Sequence, residues 1–416
     1  MQKFVNDYWA SHKEQWHVAS FHVPLVLTAV FIIVAGMMIF NSRIEPIFDQ
    51  YAAISGELSL ADYPTYAQGV SVKVIFGLYN RIDYWNPISS NAHIRTIVMV
   101  VYLLSGLLLF SVRKSIRHKP ALTTAMQVLL FTSLYAFLWT SHEVLAGAFL
   151  MLIFWSHVSG KPFVLTAFFL ALFSLAKPDL ALSGGLMGLY LVYEGGQTWR
   201  QRGIKFGIYA GVVLAFCLPG IISHGTGFFR TSRSLASFFQ HYAYIASQQA
   251  VEGAPNPWSD TAAYTAGVFG NDVNSLIDVI VNYPGEYLTF VLSSLSFTLK
   301  NLFLGKVLVL LPLLVFALYR LLKRNCYDDP KIRSTLILAL LVALGLVPIT
   351  LMSVTHIRYL ARFYPVVLFV IYTYLLQEED KKIYWGSIGY LFVAVILQLP
   401  DFKAAFFGSN GHWFPD

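Results

Sequence analysis

Acidic side chains follow directly on the first long apolar segment of the chain. Glu45 and Asp49 lie within a few residues of its end, and Tyr51 comes next. A carboxylate so close to a predicted membrane face needs water or a charged partner, and such a residue marks a functional site by default. A carboxylate can also accept the proton of an attacking hydroxyl group. We therefore predict that Asp49 is a catalytic base and Tyr51 a substrate contact. Glu45, Asp62 and Asp83 lie in the same loop and compete with Asp49 for the role of base.

Acids and bases are mixed at three further points, each at the end of an apolar segment. These points are His142 with Glu143, Lys177 with Asp179, and His356 with Arg358 and Arg362. Arg358 and Arg362 stand four residues apart, so on a helix they share one face. Guanidinium groups bind phosphate oxygens in a bidentate manner, and Lys177 adds a further candidate phosphate contact. On one side of a membrane, the three points would together form the wall of a substrate-binding site.

A structural role is also open for each of these points. Asp179 is a suitable residue to cap the helix that follows it. Ser141-His-Glu143 is compatible with a simple turn between two antiparallel helices. Arg358 and Arg362 could extend towards lipid headgroups, and Asp49 could be a solvated loop acid. From the residues alone, these alternatives stay open beside the functional ones.

The composition identifies lipid as the solvent for much of the surface. Of the 416 residues, 56% are hydrophobic and only 12% are charged, whereas about 25% are charged in a soluble domain. The mean hydropathy is +0.60. The formal net charge of +7 comes from basic residues in short loops between apolar segments. This is an orientation signal, so no nucleic-acid partner is expected.

The apolar segments predict an all-α polytopic membrane protein with about 11 transmembrane helices. Residues 1–416 form one transmembrane domain with two long loops, 41–95 and 224–303, and Pro and Gly clusters in the second predict broken secondary structure. More than half of the 29 Lys and Arg residues fall in the N-terminal segment and in alternate short loops. The positive-inside rule then places the N-terminus in the cytoplasm and both long loops outside, in a multi-pass protein of the inner (plasma) membrane. The basic short loops are 113–119, 159–162, 194–205, 322–333 and 377–382.

Four short stretches carry a further signal by their order along the chain. They are Asp49-Gln50-Tyr51, Lys177-Pro178, Asn282–Val291 and His356–Pro365. Together they resemble the GT-C superfamily of polytopic glycosyltransferases, which includes the protein O-mannosyltransferases and the aminoarabinose transferase of lipid A. In the usual pattern of that superfamily a second acid stands where this chain has Gln50.

The resemblance implies a transfer at the outer face of the membrane. The donor would be a polyprenyl-phosphate sugar and the acceptor a lipid or a glycan, with Asp49 as base and the basic residues on the lipid phosphate. The same carboxylate is a ligand type that Mg²⁺ and Mn²⁺ accept, so a divalent cation is the one cofactor left open.

Two other functions remain in competition. An O-antigen ligase or polymerase-like enzyme would use a large outer loop, here with Arg230, Arg233 and His241 at its centre. A transporter or flippase would have charged residues deep within its spans and an internal repeat. The chain has its ionisable residues mainly at span ends and shows no repeat by eye, which favours an enzyme.

Overall fold

The structure is a computed structural model, and it describes most of the chain from Pro24 onwards. Its described part is mostly helical and contains no strand. The fold class predicted from the sequence is therefore confirmed as all-α. The described residues are 24–34, 63–66, 69–75, 90–111, 120–133, 141–194, 198–229, 233–249, 261–270, 272–304, 307–324, 326–353 and 362–407.

The helices are numbered here in chain order. They are α1 (Pro24–Val34), α2 (70–75), α3 (Ser90–Phe110), α4 (Pro120–Ser133), α5 (Ser141–Val158), α6 (Phe163–Ser174), α7 (Ala181–Tyr193), α8 (Trp199–His224), α9 (Arg233–Gln248), α10 (Ala262–Phe269), α11 (Leu276–Asn282), α12 (Pro284–Leu304), α13 (Leu311–Lys323), α14 (Pro330–Ala343), α15 (Leu346–Met352), α16 (Tyr364–Gln377) and α17 (Lys381–Phe407). Short 3₁₀ turns lie at Pro178–Leu180, Gly225–Phe229, Val307–Leu310 and Cys326–Asp328.

Helix α16 is the central helix of the main core. Nearly all of its side chains are buried, and it packs against α3, α4, α5, α13 and α14. A helix that is apolar on every side must be surrounded by other helices, which explains this position. Arg362 lies two residues before the start of α16 and Glu378 directly follows its end, so the two residues mark opposite ends of this helix.

Small residues let neighbouring helices approach closely. A Cβ atom added to Gly184 of α7 would lie 2.0 Å from Ser174 Oγ of α6. One added to Gly188 would lie 2.7 Å from the Tyr209 ring of α8. Close approach through glycine and serine is typical of helix packing in membranes, and it fixes α6, α7 and α8 relative to one another.

A saturated ion cluster lies at the Glu378 end of α16. The side chain of Glu378 is fully buried. Its Oε1 accepts hydrogen bonds from Arg324 Nη2 at 2.7 Å and from the Asp380 N–H at 3.0 Å, while Oε2 accepts from Tyr374 Oη at 2.6 Å and Arg320 Nη2 at 3.2 Å. We call Glu378, Arg320, Arg324 and Tyr374 the Glu378 cluster. It joins the end of α16 to the end of α13.

A second polar contact at the same end joins three other helices. His157 Nε2 lies 2.7 Å from Ser334 Oγ and 3.4 Å from Glu194 Oε2. These residues lie at the end of α5, at the start of α14 and directly after α7. His157, Glu194 and Ser334 lie in or beside the loops 159–162, 194–205 and 322–333, which the sequence assigned to one face of the membrane. Their contact brings these three loops together.

Two helical segments of the described part are long and apolar enough to cross a membrane. They are Trp199–Phe229 and Pro330–Met352, while six further apolar helical stretches of the described residues span 10–17 residues. This is fewer than the about 11 spans expected from hydropathy. One reason is that several apolar stretches are divided by turns, as at Val307–Leu310 before α13.

The second predicted long loop is largely helical where it is described. Its Pro and Gly residues separate α9, α10, α11 and α12, so the prediction of broken structure is wrong within these helices. Pro284 illustrates the reason, because proline is accepted at the first position of a helix, where its missing N–H costs nothing. Aromatic residues give this region a core of its own around Phe238, Phe269 and Phe290.

Candidate active site

Arg362 is the centre of an ion cluster at the other end of α16. Its side chain is fully buried, and its Nη2 donates a hydrogen bond to Asp179 Oδ2 at 2.5 Å. Its Nε lies 3.5 Å from Glu143 Oε2, and its guanidinium carbon lies 5.5 Å from the centroid of the Phe363 ring. A buried arginine is stable only when acids compensate its charge, and here two of them do.

Glu143 links Arg362 to a second cation. It lies in the first turn of α5, and its side chain is fully buried. Lys177 Nζ donates a short hydrogen bond to Glu143 Oε1. The amino end of a helix favours a nearby negative charge, and Glu143 lies at that end of α5. Among the described residues, Glu143 Oε2 accepts no hydrogen bond, so this acid is held by its hydrogen bond with Lys177 and by the nearby charge of Arg362.

Lys177 and Asp179 enter the cluster from the turn between α6 and α7. Pro178 starts the 3₁₀ turn Pro178–Leu180, and Lys177 before it has an extended backbone. This places Lys177 and Asp179 on either side of a proline, both directed at the same cluster. The side chain of Asp179 is 16% exposed and that of Lys177 is 26% exposed. Lys177 is thus the cation of the cluster that solvent reaches.

The Asp179 carboxyl remains ionised despite its surroundings. Burial raises its pKa, but Arg362 and Lys177 outweigh this effect and hold the pKa below its ordinary value. The residue before α7 in the cap position is Leu180, which makes no side-chain capping hydrogen bond. The simple helix-capping role that the sequence left open for Asp179 is therefore replaced by its pairing with Arg362.

The four residues Glu143, Lys177, Asp179 and Arg362 form what we call the Arg362 cluster. It contains two acids and two bases, so its formal charge is zero. The residues come from three separate parts of the chain, and the sequence had assigned all three to one face. An arriving anion has access mainly to Lys177, whose ammonium group is shared with Glu143.

One sequence-based role changes in the structure. Arg358 and Arg362 were predicted to present a shared face to a phosphate group. Arg362 is instead fully buried and committed to Asp179, because its neighbours α5 and the 178–180 turn close over it. It acts as an internal support for the cluster, and Lys177 is the more accessible cation.

Several predicted site residues lie outside the described part of the chain. They are Asp49, Tyr51, His356 and Arg358, together with the competing acids Glu45, Asp62 and Asp83. His142 lies on α5, but its side chain is also outside the description. Their roles stay predictions.

Tyr66 is a nearby residue that the sequence analysis missed. It belongs to the first predicted outer loop, and its ring packs against Phe228 and Phe229, with centroid distances of 6.5 and 6.2 Å. Burial, followed by the charge of Asp179, raises the pKa of Tyr66 to about 12. A tyrosine pair within a predicted aqueous loop, Tyr63 and Tyr66, was the signal in the sequence that this loop is packed against the bundle.

The residues expected for a ligase-like enzyme are placed differently. Arg230 and the side chain of Arg233 lie outside the described part. His241 is buried in α9, beside the aromatic core of the α9–α12 region. The described contacts give no shared site for the three residues.

The cluster does not fit a divalent cation. Glu143 and Asp179 each face a basic side chain already, and within the described ranges no three His, Cys, Asp or Glu side chains are grouped as metal ligands. A metal held by Asp49 stays a prediction.

Comparisons with family models, with curated proteins and with solved structures find no match to this chain. The Arg362 cluster must therefore be interpreted from its own chemistry.

Proposed function

We propose that this chain is a membrane glycosyltransferase of the GT-C type. It transfers a sugar from a polyprenyl-phosphate donor to a lipid or glycan acceptor at the outer face of the inner membrane. The observation that carries the proposal is the Arg362 cluster. Three turns that the charge distribution assigns to the outer face meet there and leave one cation, Lys177, partly exposed.

The proposal includes a multi-pass topology of about 11 spans, with the N-terminus in the cytoplasm. It is supported by apolar side chains that protrude from the bundle. Leu214, Leu218 and Ile222 form an exposed face on α8, and Leu288 and Leu292 do so on α12. Exposed apolar faces of this length are costly in water and suitable in lipid.

In the proposed reaction, Asp49 accepts the proton of the acceptor hydroxyl group. The hydroxyl oxygen forms a bond to the anomeric carbon of the sugar, and the bond from that carbon to the phosphate oxygen breaks. The electron pair of the broken bond leaves with the polyprenyl phosphate. The donor phosphodiester carries one negative charge and the departing phosphate monoester approaches two, so the reaction develops charge at the phosphate.

Lys177 is the residue suited to this developing charge. It interacts with Glu143 in the structure and can turn its ammonium group towards the phosphate while Arg362 keeps the two acids compensated. A fixed cation aimed at the atom where charge develops lowers the barrier more than one that binds the ground state equally well. His356, Arg358, His142 and Tyr51 are retained as further candidate substrate contacts.

The proposal is tested with purified protein in lipid vesicles and radiolabelled polyprenyl-phosphate mannose and polyprenyl-phosphate aminoarabinose as donors. We expect transfer by the wild type, and a loss of about a hundredfold or more in Asp49→Asn. Asp328→Asn, at an exposed acid near the other end of the bundle, is the matched control and should retain transfer.

Two outcomes would redirect the proposal. Equal transfer by wild type and Asp49→Asn removes Asp49 as base. Transfer that is lost in Arg230→Met but retained in Asp49→Asn favours the ligase-like alternative. No transfer from any donor contradicts the proposed reaction itself.

A further inference from the structure

The first predicted outer loop is tied to the bundle directly beside the Arg362 cluster. The Ser71 hydroxyl donates a hydrogen bond to the Leu172 carbonyl at 2.6 Å, and the Ser71 N–H donates to the Leu175 carbonyl at 3.3 Å. Ser71 is fully buried. Its two partners end α6 and lie just before Lys177, so this part of the loop has a fixed position next to the Lys177–Asp179 turn.

Tyr63 makes a second attachment of the same loop, to the end of α8. Its hydroxyl group donates a hydrogen bond to the Phe216 carbonyl at 2.6 Å, and its own carbonyl accepts one from His224 Nε2 at 2.6 Å. Pro219 lies in the same part of α8. Since proline has no N–H, Pro219 leaves the Ala215 carbonyl without its helical donor and interrupts the helical ladder one residue before Phe216.

Gly220 is required for this attachment. A Cβ atom there would lie 2.3 Å from Phe228 Cε2 and 3.1 Å from Tyr63 Cδ1. Phe228 is fully buried and cannot move away easily. By contrast, a Cβ atom at Gly211 of the same helix would meet nothing within 4 Å. We call Tyr63, Phe216, Gly220, His224 and Phe228 the Tyr63 anchor.

The anchor also determines where Tyr66 lies. The Tyr66 ring rests on Phe228 and Phe229, three residues after Tyr63, and its hydroxyl group is within the electrostatic reach of Asp179. The anchor and the Ser71 contacts thus attach the loop at two points, one at the end of α8 and one at the end of α6.

We propose that the Tyr63 anchor is a positioning device for the transfer reaction. It holds residues 63–66 and 69–75 of the first outer loop beside the Lys177–Asp179 turn, and Asp49 precedes them in the sequence of the same loop. This inference rests on the proposed function for its catalytic part, whereas the anchor itself rests on the contacts above. Because the anchor touches the loop and not the phosphate contacts, its loss should lower kcat and leave the KM for the donor unchanged.

The experiment uses the full chain in lipid vesicles and two independent measurements. Hydrogen–deuterium exchange of peptides covering 63–75 measures how firmly the anchor holds this part of the loop. Initial rates with radiolabelled polyprenyl-phosphate mannose and polyprenyl-phosphate aminoarabinose give kcat and KM. The variants are Tyr63→Phe, which removes one hydroxyl group, and Gly220→Ala, with Gly211→Ala as control. Tyr63→Phe keeps the test valid should Gly220→Ala fail to fold.

We expect exchange over 63–75 to rise about tenfold in both anchor variants. We also expect kcat to fall about tenfold or more, with KM within about twofold of the wild type. Gly211→Ala should match the wild type in both measurements.

Unchanged exchange in both anchor variants overturns the anchor. Faster exchange with an unchanged kcat overturns its positioning role and leaves the proposed function standing. A wild type that transfers no sugar contradicts the proposed function and with it the catalytic part of the inference, while the exchange measurement still decides whether the anchor holds the loop.

Discussion

The two ends of α16 both carry buried acids paired with basic residues, yet the two clusters use their hydrogen bonds differently. Each of the two carboxylate oxygens of Glu378 accepts two hydrogen bonds from fixed donors. At the Arg362 end, Glu143 Oε2 accepts none from the described residues and stands 3.5 Å from Arg362 Nε. The Glu378 carboxylate is fully hydrogen-bonded, although Arg320 Nε of the same cluster has no partner among the described residues, and a satisfied buried network rigidifies its surroundings. The Glu143 carboxylate keeps one oxygen without a hydrogen-bond donor in the described part of the chain.

The origin of the partners differs as well. The Glu378 cluster joins α13 to the end of α16, and Tyr374 belongs to α16 itself. The Arg362 cluster is assembled from three turns that are far apart in the chain, at Glu143, Lys177 and Arg362. A local cluster fastens two helices together, while a cluster of distant turns is the usual construction of a site carried by a rigid scaffold.

The largest expected effect is that of Arg362→Met. The change leaves Glu143 and Asp179 buried without their shared cation, and we expect a loss of about 4 kcal/mol in the free energy of unfolding. Sugar transfer should also disappear. Denaturant titration of the variant in detergent measures the first effect, and the radiolabel assay measures the second.

The matched variant for this prediction is the double change Arg362→Met with Asp179→Asn. Removing one of the two uncompensated acids should restore part of the stability and none of the transfer. A stability equal to that of the single variant would contradict the pairing of Arg362 with Asp179.

Glu378→Gln should be destabilising without affecting the reaction. We expect a loss of about 2 kcal/mol, less than for a fully buried pair, because Arg320 and Arg324 partly reach solvent. The kcat of the folded protein should be unchanged. Glu379→Gln, at the exposed neighbouring acid, is the control. A large fall in kcat for Glu378→Gln would break the distinction between a stabilising end and a reactive end.

Acid should act on the Glu378 end in a defined pH range. Burial raises the pKa of the Glu378 carboxyl, but hydrogen bonds from Tyr374, the Asp380 N–H, Arg324 and Arg320 lower it from 4.5 to about 2. A folded-state pKa below the unfolded one contributes stability above about pH 4.5, and this contribution is lost as the pH falls towards about 2.

This dependence is measured as the difference in unfolding free energy between wild type and Glu378→Gln at several pH values. We expect the difference to be largest near neutral pH and to shrink below about pH 4.5. A difference that stays constant down to about pH 3 would show that the Glu378 carboxyl is not the group responsible.

Lys177→Met should have the smallest effect on stability and a clear effect on donor use. Its side chain is partly exposed, but its partner Glu143 is fully buried and keeps only the charge of Arg362 at 3.5 Å, so we expect a loss of about 1.5 kcal/mol. The KM for the donor should rise about tenfold or more, and kcat should also fall if Lys177 stabilises the departing phosphate. Lys382→Met, at an exposed lysine near the Glu378 end, is the control. Unchanged KM and kcat in Lys177→Met would remove the phosphate contact from the proposal.

Local sequence patterns predicted the helices and the grouping of the charged residues, but they did not predict which residues pair with one another. The apolar segments predicted the all-helical fold, because lipid-compatible helices must be apolar over whole turns. The acids and bases at segment ends were predicted to form one site, and Glu143, Lys177, Asp179 and Arg362 do lie together. The sequence could not show that Arg362 would be enclosed and paired with Asp179, since their contact spans 183 positions and depends on packing.

Other features could not be predicted from the sequence because they also depend on how distant segments pack. Helix α12 begins at Pro284, and prolines and glycines lie in the connections between α9, α10 and α11, where taken alone they predict one long loop. The Tyr63 anchor depends on a glycine in α8 whose missing Cβ matters only because Phe228 folds back onto it. The candidate base Asp49 lies outside the described residues, so its role rests on the resemblance to the GT-C superfamily and on the position of its loop.

The most direct test of the account is sugar transfer from radiolabelled polyprenyl-phosphate donors by four proteins in lipid vesicles: wild type, Asp49→Asn, Lys177→Met and Glu378→Gln. The account predicts transfer by the wild type and by folded Glu378→Gln, strongly reduced transfer by Lys177→Met, and almost none by Asp49→Asn. Equal transfer by all four, or no transfer by the wild type from any donor, would contradict it.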